Sequence, residues 1–264
     1  MKVLILSGYG INCEDETLNA FKIVGIKGDI VHVNDLIQSP KKLNKFQILA
    51  FPGGFSYGDH TGSGNAMAHK IRNNLLEHII NFIEKDKLAI GICNGCQILV
   101  NLGIVPSLDG YKREVALVEN DIATYQCRWI KLKVTNRKSP WLKKIKYLNL
   151  PVAHQEGKFL LDKKIMVKLK KEKLIACKYI DNYGSLAKGK FPQNPNGSIE
   201  DIAGITNAKG NVLAMMPHPE RAIYSSQRPN WISRKCKLKN KLSYKEKLYA
   251  DGYKIFKNAH NYFK

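Results

Sequence analysis

The segment Leu88-Ala89-Ile90-Gly91-Ile92-Cys93-Asn94-Gly95-Cys96-Gln97 constrains this chain more than any other. Its first five residues form an unbroken apolar run, the pattern of a strand buried on both faces of a parallel sheet. Gly-x-Cys-x-Gly follows at once, and helical spacing resumes over residues 97–102. A strand that enters a helix through so short a junction must turn sharply, and glycines at 91 and 95 let it do so without steric conflict.

The flanking sequence supplies the neighbours such a strand needs. Short apolar runs predict strands over 3–7, 30–33 and 48–51, with a loop between at Gly8-Tyr9-Gly10-Ile11-Asn12. Helical spacing predicts helices over 15–24 (Leu18, Phe21, Val24) and 65–84, the second with Met67, Ile71, Leu75, Ile79 and Phe82 on one stripe. Repeated units of this kind imply an α/β fold: a doubly wound, mostly parallel central sheet flanked by helices, with right-handed crossovers. The second half adds extra strands over 115–118, 129–134, 151–154, 175–179, 202–206 and 212–216, and residues 244–263 return to a helical pattern. No internal repeat or low-complexity linker interrupts the 264 residues, so 1–264 reads as a single domain.

A cysteine on a tight strand-to-helix turn is the thiol version of a nucleophile elbow, raised above the sheet at the positive end of a helix dipole, which favours the thiolate. Taken alone, Cys93-x-x-Cys96 also fits half of a zinc site, a redox pair, or two buried apolar cysteines. No second Cys-x-x-Cys or His-x₃₋₅-His accompanies it. A second segment favours catalysis: Asn211-Val-Leu-Ala-Met-Met-Pro-His218-Pro-Glu220-Arg221 is a strand ending in His-Pro-Glu. Pro219 fixes an extended backbone, alternate residues of which point to one side, so His218 and Glu220 are expected to converge. A cysteine nucleophile needs a base, and the base gains from a carboxylate that fixes its tautomer. A third segment, Phe51-Pro52-Gly53-Gly54-Phe55-Ser56-Tyr57-Gly58-Asp59, places two glycines after a strand, where backbone N–H groups can face a developing oxyanion; an ordinary glycine turn is the alternative.

Together these segments resemble the class I (triad) glutamine amidotransferases, which have a flavodoxin-like sheet. The wording Gly-Gly-Phe-Ser-Tyr-Gly-Asp, Cys-Asn-Gly-Cys-Gln and Met-Pro-His-Pro-Glu-Arg is most similar to the glutaminase branch that serves phosphoribosylformylglycinamidine synthases in purine biosynthesis. Asn12-Cys13, Pro151-Val-Ala-His154-Gln-Glu156-Gly157 and Asn196-Gly197-Ser198-Ile-Glu-Asp201 extend the likeness over most of the chain. The resemblance implies a Cys-His-Glu triad of Cys93, His218 and Glu220, and an oxyanion hole from the backbone N–H groups of Gly54 and Asn94. It implies substrate contacts from Gln97, Gly53 and His154. The implied reaction releases ammonia from L-glutamine through a glutamyl thioester and channels it to an ATP-dependent synthetase subunit, with a small third subunit. No metal or cofactor is expected in this chain; ATP and magnesium belong to the synthetase. Another acceptor synthetase, such as one making GMP or carbamoyl phosphate, would use the same chemistry.

The chain departs from the branch at Tyr9-Gly10-Ile11, where Pro-Gly-Ser/Thr is usual, and at Gln155, where glycine is usual. Tyr-Leu-Arg after the Gly-Asp becomes His60-Thr61-Gly62-Ser63, which puts an arginine contact from that loop in doubt. The tail, with Pro229-Asn230-Trp231, looks more like the glutaminase end of single-chain synthases, yet no synthetase region or phosphate-binding glycine loop is present.

Net charge is the one anomaly. Lys and Arg total 43 against 22 Asp and Glu, a formal +21. Residues 131–178 hold 15 basic and 3 acidic side chains and residues 221–264 hold 12 and 2, so these two blocks carry the whole excess. The triad segments lie in near-neutral sequence. A lysine-rich solvated surface or an acidic protein partner accounts for the blocks; no aromatic-interleaved basic motif supports a nucleic-acid reading. Six scattered cysteines, no apolar run of about 18 residues and no signal-peptide core predict a cytoplasmic, reducing environment without membrane contact.

Overall fold

In the computed structural model, which describes residues 1–136, 138–233 and 248–264, strand and helix alternate from the start. The first half comprises β1 (Lys2–Ser7), α1 (Glu14–Ile23), β2 (Lys27–His32), α2 (Val33–Gln38), β3 (Ile48–Phe51), α3 (Asn65–Asn74), α4 (Leu76–Glu84), β4 (Leu88–Ile92) and α5 (Asn94–Leu102). The second half brings β5 (Ala116–Glu119), β6 (Gln126–Val134), β7 (Tyr147–His154), β8 (Glu156–Leu160), α6 (Lys163–Lys171), β9 (Ile175–Ile180), β10 (Ile202–Thr206), β11 (Val212–Met215) and α7 (Gly252–Tyr262). Local chemistry starts these helices: Glu14, Asp15 and Glu16 sit at the positive end of α1, and Asp162 caps α6 by accepting from the Ile165 N–H at 2.8 Å.

Nine strands form one sheet in the order β2-β1-β3-β4-β11-β10-β9-β6-β7. The first five in that order are mutually parallel and the remaining pairs antiparallel, so only β10 and β6 run against the others. The extra strands of the second half thus extend the parallel sheet, except that β5 pairs with β8 in a separate two-stranded sheet. Strands β3, β4, β10 and β11 are buried along their whole length, which is why their sequences read as continuous apolar runs. The crevice beyond the carboxyl ends of β1, β3, β4 and β11 is where such sheets bind ligands.

Several expectations shift. The helix over 65–84 is two helices, broken at Leu75 (φ −132°, ψ −9°). The Asn74 side chain donates to the Lys70 carbonyl at 2.8 Å, a local bond that competes with the helical ladder. The strand over 30–33 is longer at its start and ends at His32, since Val33 opens α2. As the sheet edge it keeps Lys27, Asp29 and Ile30 exposed, so backbone pairing with β1 and not side-chain burial defines it. Strand β8 gave no signal because only Gly157 and Phe159 face inward. The helix over 244–263 is seen as α7, and residues 244–247 lie outside the described residues.

The packing of α5 onto β3 leaves no space at Gly95. A Cβ there would lie 1.9 Å from the Phe51 carbonyl oxygen, a backbone atom that cannot swing aside. Gly95→Ala is therefore expected to lower stability by about 1–3 kcal/mol, read as a lower urea midpoint at unchanged m-value. An unchanged midpoint would mean that α5 is free to slide off β3.

Candidate active site

The sharp turn after β4 falls on Cys93, whose backbone is left-handed (φ 51°, ψ −106°). A non-glycine residue in such a conformation costs about 1–3 kcal/mol and persists only where its surroundings hold it. Here the Cys93 N–H donates to the Met215 carbonyl of β11 at 2.9 Å, and α5 begins with the next residue. The sulfur lies 3.5 Å from the Ala153 carbonyl oxygen and faces a cavity of about 260 Å³ lined by Gly54, Asp59, Gln97, His154 and Glu156 among others. Cys96 is fully buried and not among the cavity-lining residues, its thiol pushed well up by burial.

His218 follows β11, its N–H donating to the Pro151 carbonyl at 2.8 Å. The expected extended His-Pro-Glu is only half right. His218 is extended (φ −98°, ψ 92°), but Pro219–Arg221 forms a 3₁₀ turn that swings Glu220 back beneath the imidazole. Proline's fixed φ suits the first position of such a turn as well as a strand. The result is the same convergence: His218 Nδ1 and Glu220 Oε1 are 2.5 Å apart, with both residues at most 2% exposed. Burial works against the charged imidazole. The Glu220 carboxylate and the neighbouring sulfurs of Cys93 and Cys13 outweigh it and hold the His218 pKa well above its usual value. With Nδ1 committed to Glu220, Nε2 is the atom left for a sulfur.

Gly53 marks where these groups meet. A Cβ on it would lie 2.8 Å from His218 Cε1, 3.1 Å from Cys13 Sγ and 3.5 Å from Cys93 Cβ. Gly53 thus stands behind the sulfur and is not among the residues lining the cavity; its carbonyl accepts from the Asn12 and Cys13 N–H groups at 3.2 Å. Gly54 does line the cavity, and the N–H of Asn94 belongs to the first turn of α5, where amides have no intrahelical acceptor. The buried Asn94 side chain ties the two loops together. Its oxygen accepts from the Ser56 N–H at 3.3 Å, and its Nδ2 donates to Gln97 Oε1 at 2.8 Å and Asp59 Oδ1 at 3.4 Å. Gln97 donates in turn to the Glu156 carbonyl at 2.6 Å. His154 lines the cavity as a neutral ring, its pKa pulled down to about 3 by burial and by His218, with Nδ1 3.1 Å from Asn120 Oδ1.

Comparison with known proteins now has a geometry to explain. The sequence pattern of the CobB/CobQ-like glutamine amidotransferase domain matches residues 1–263. The chain belongs to this family. It is 46% identical over 264 residues (99% of this chain, 97% of the relative) to phosphoribosylformylglycinamidine synthase subunit PurQ of Methanococcus maripaludis. It is 40% identical over 260 residues (98% and 96%) to the subunit of the same name from Dehalococcoides mccartyi. Among solved structures it resembles PurLQS from Thermotoga maritima, with a TM-score of 0.71, 28% identity and coverage of 100% and 99% of the two chains.

A further neighbour of the triad is Cys13, part of the family likeness but given no role by it. It is buried and free, and Arg221 Nη2 donates to its sulfur at 2.9 Å. The ligand atoms of Cys13, His218 and Glu220 all lie within 4.8 Å of one another, but the guanidinium against the thiol competes with any cation there. The signal that could have found Cys13 was its place in the loop at the carboxyl end of β1, on the crevice side of the sheet. A roomier cavity of about 510 Å³ lies elsewhere, between Lys131, Tyr147, Tyr183 and Tyr249, and among the described residues no cysteine, serine, threonine or histidine lines it. Among the described residues no helix is long and apolar enough to cross a membrane.

Proposed function

We infer that this amidotransferase is the glutaminase subunit of a phosphoribosylformylglycinamidine synthase, working in the cytoplasm. It hydrolyses L-glutamine and passes the ammonia to an ATP-dependent synthetase subunit that makes formylglycinamidine ribonucleotide in purine biosynthesis. The observation that carries the reading is the left-handed Cys93 at the cavity mouth, beside a buried His218–Glu220 pair 2.5 Å apart. In this reading Cys93 attacks the side-chain amide of glutamine. The N–H groups of Gly54 and Asn94 hold the oxyanion, each contributing about 3–4 kcal/mol. His218, oriented by Glu220, protonates the departing ammonia and then activates water to hydrolyse the glutamyl thioester. Gln97 and His154 border the substrate, and Gly53 leaves room for His218 beside the sulfur. The chain uses no metal or cofactor of its own, ATP and magnesium acting on the synthetase; a small third subunit completes the complex. Residues 1–264 serve as one domain.

The test is reconstitution. The chain mixed with the synthetase subunit should make the amidine from formylglycinamide ribonucleotide, ATP and glutamine, with one glutamate released per product. An assembled enzyme that accepts ammonia but never glutamine would overturn the reading. Capture with a different acceptor synthetase would leave the chemistry and move the pathway.

A further inference from the structure

The cavity in front of Cys93 is anionic. Asp59 and Glu156 both line it, and among the described residues no lysine or arginine does. The remaining titratable ring on the wall, His154, is neutral. The two carboxylates come from different parts of the chain, Asp59 from the loop after β3 and Glu156 from the start of β8, and the sequence between them builds the pocket on purpose. Ser63 donates its N–H to Glu156 Oε2 at 3.0 Å, which draws the 60–63 loop against β8. Asn94 Nδ2 reaches Asp59 Oδ1 at 3.4 Å, and Gln97, bonded to Asn94, closes the chain to Glu156 through its carbonyl.

A carboxylate accepts about four hydrogen bonds, and with three from Ser63, Gly64 and Asn94 on Asp59 and one from Ser63 on Glu156, both cavity-lining groups retain acceptor capacity. Two like charges on one partly enclosed wall oppose each other unless a cation joins them. Burial chiefly, and the Glu156 carboxylate to a smaller degree, raise the Asp59 pKa against hydrogen bonds from Ser63, Gly64 and Asn94. No described residue on this wall supplies the cation, and the substrate does: an amino acid carries an α-ammonium group.

Resting on the glutaminase reading, we propose that Asp59 and Glu156 are the specificity-determining residues that bind the α-ammonium group of glutamine, so that the pocket selects an amino acid over other γ-carboxamides. Neither touches the reacting atoms. Their contribution is to place the carboxamide over Cys93 by holding the far end of the molecule, which is uniform binding and appears in KM more than in kcat.

The experiment compares L-glutamine with glutaramate, which has the same carboxamide and no amine, using the assembled enzyme. Wild type should favour glutamine by about ten- to a hundredfold in kcat/KM, the size of a charge-assisted contact. In the isosteric variant Asp59→Asn/Glu156→Gln that preference should collapse by about tenfold or more, through a raised KM for glutamine with kcat nearly kept and with glutaramate unharmed. An equal rise in KM for both substrates would mean that the carboxylates only hold the loops, and would overturn the proposal. Should the double variant not fold, the single variants and the wild-type preference carry the test: a wild type that uses both substrates equally overturns it as well. A wild type that hydrolyses neither, even with its partner, sinks the glutaminase reading instead.

Discussion

Cys93→Ala is expected to abolish glutamine hydrolysis while leaving ammonia-dependent synthesis by the assembled enzyme intact. The loss should be at least about 10³-fold in kcat and approach 10⁶-fold, because removing the nucleophile of a catalytic unit costs nearly as much as removing the whole unit. Among the described residues, the neighbouring and buried sulfurs are poor substitutes. Cys96 and Cys177 are fully buried with their thiols pushed up by burial, and the Cys13 sulfur already accepts a hydrogen bond from Arg221. The fold should survive, since alanine is smaller than cysteine and the N–H bond to Met215 is a backbone bond. Two assays on one preparation separate the outcomes: glutaminase lost with ammonia-driven synthesis kept is the expected result. Retained glutaminase activity would remove Cys93 from the chemistry. Loss of both activities would point to damaged docking.

What was legible in the sequence follows from which forces leave a mark on side chains. Strands β3, β4 and β10 match their apolar runs to the residue because burial on both faces dictates apolar residues at consecutive positions. The elbow was readable for a steric reason: a Cβ at Gly95 has no place beside Phe51. Edge strand β2 is held by backbone pairing to β1, which leaves little imprint on side-chain type. The break at Leu75 lies inside a continuous apolar stripe, so side-chain periodicity does not mark it.

The site divides in the same way. Cys93, His218 and Glu220 sit in motifs whose spacing brings them together locally or across adjacent strands β4 and β11. Cys13, Asp59 and Glu156 meet them only through the sheet order, which places loops distant in sequence over one crevice. The motifs that hold Cys13 and Asp59 were readable as family likeness, but their spacing alone does not place either residue beside the triad. The charge anomaly resolves in part: Lys170 and Lys178 both pair with Glu200.

Glu220→Gln should have the second largest effect, and its sign can be worked out at two levels. In the wild type, burial pushes the His218 pKa down, while Glu220 and the neighbouring sulfurs push it up further, so the imidazolium persists well above its usual range. Replacing the carboxylate by an amide removes the largest upward contribution and leaves burial unchanged. The His218 pKa must therefore fall, and the corresponding limb of the pH profile of kcat/KM should move to lower pH. The amide can also donate to Nδ1 where the carboxylate only accepted, which favours the tautomer with its proton on Nε2, facing the sulfur. That combination resembles other carboxylate-to-amide changes in triads, and a loss of about 10²–10⁴-fold in kcat is expected. Stability follows the same linkage. A histidine whose folded pKa exceeds its unfolded value contributes stability that is fully present below the unfolded pKa, near 6.5, and disappears as pH rises through the folded pKa. The wild type should thus exceed Glu220→Gln in urea midpoint most clearly below that unfolded value, with the gap narrowing in alkali. A profile that keeps its limb, or a gap that widens with pH, would show that Glu220 holds His218 by packing alone.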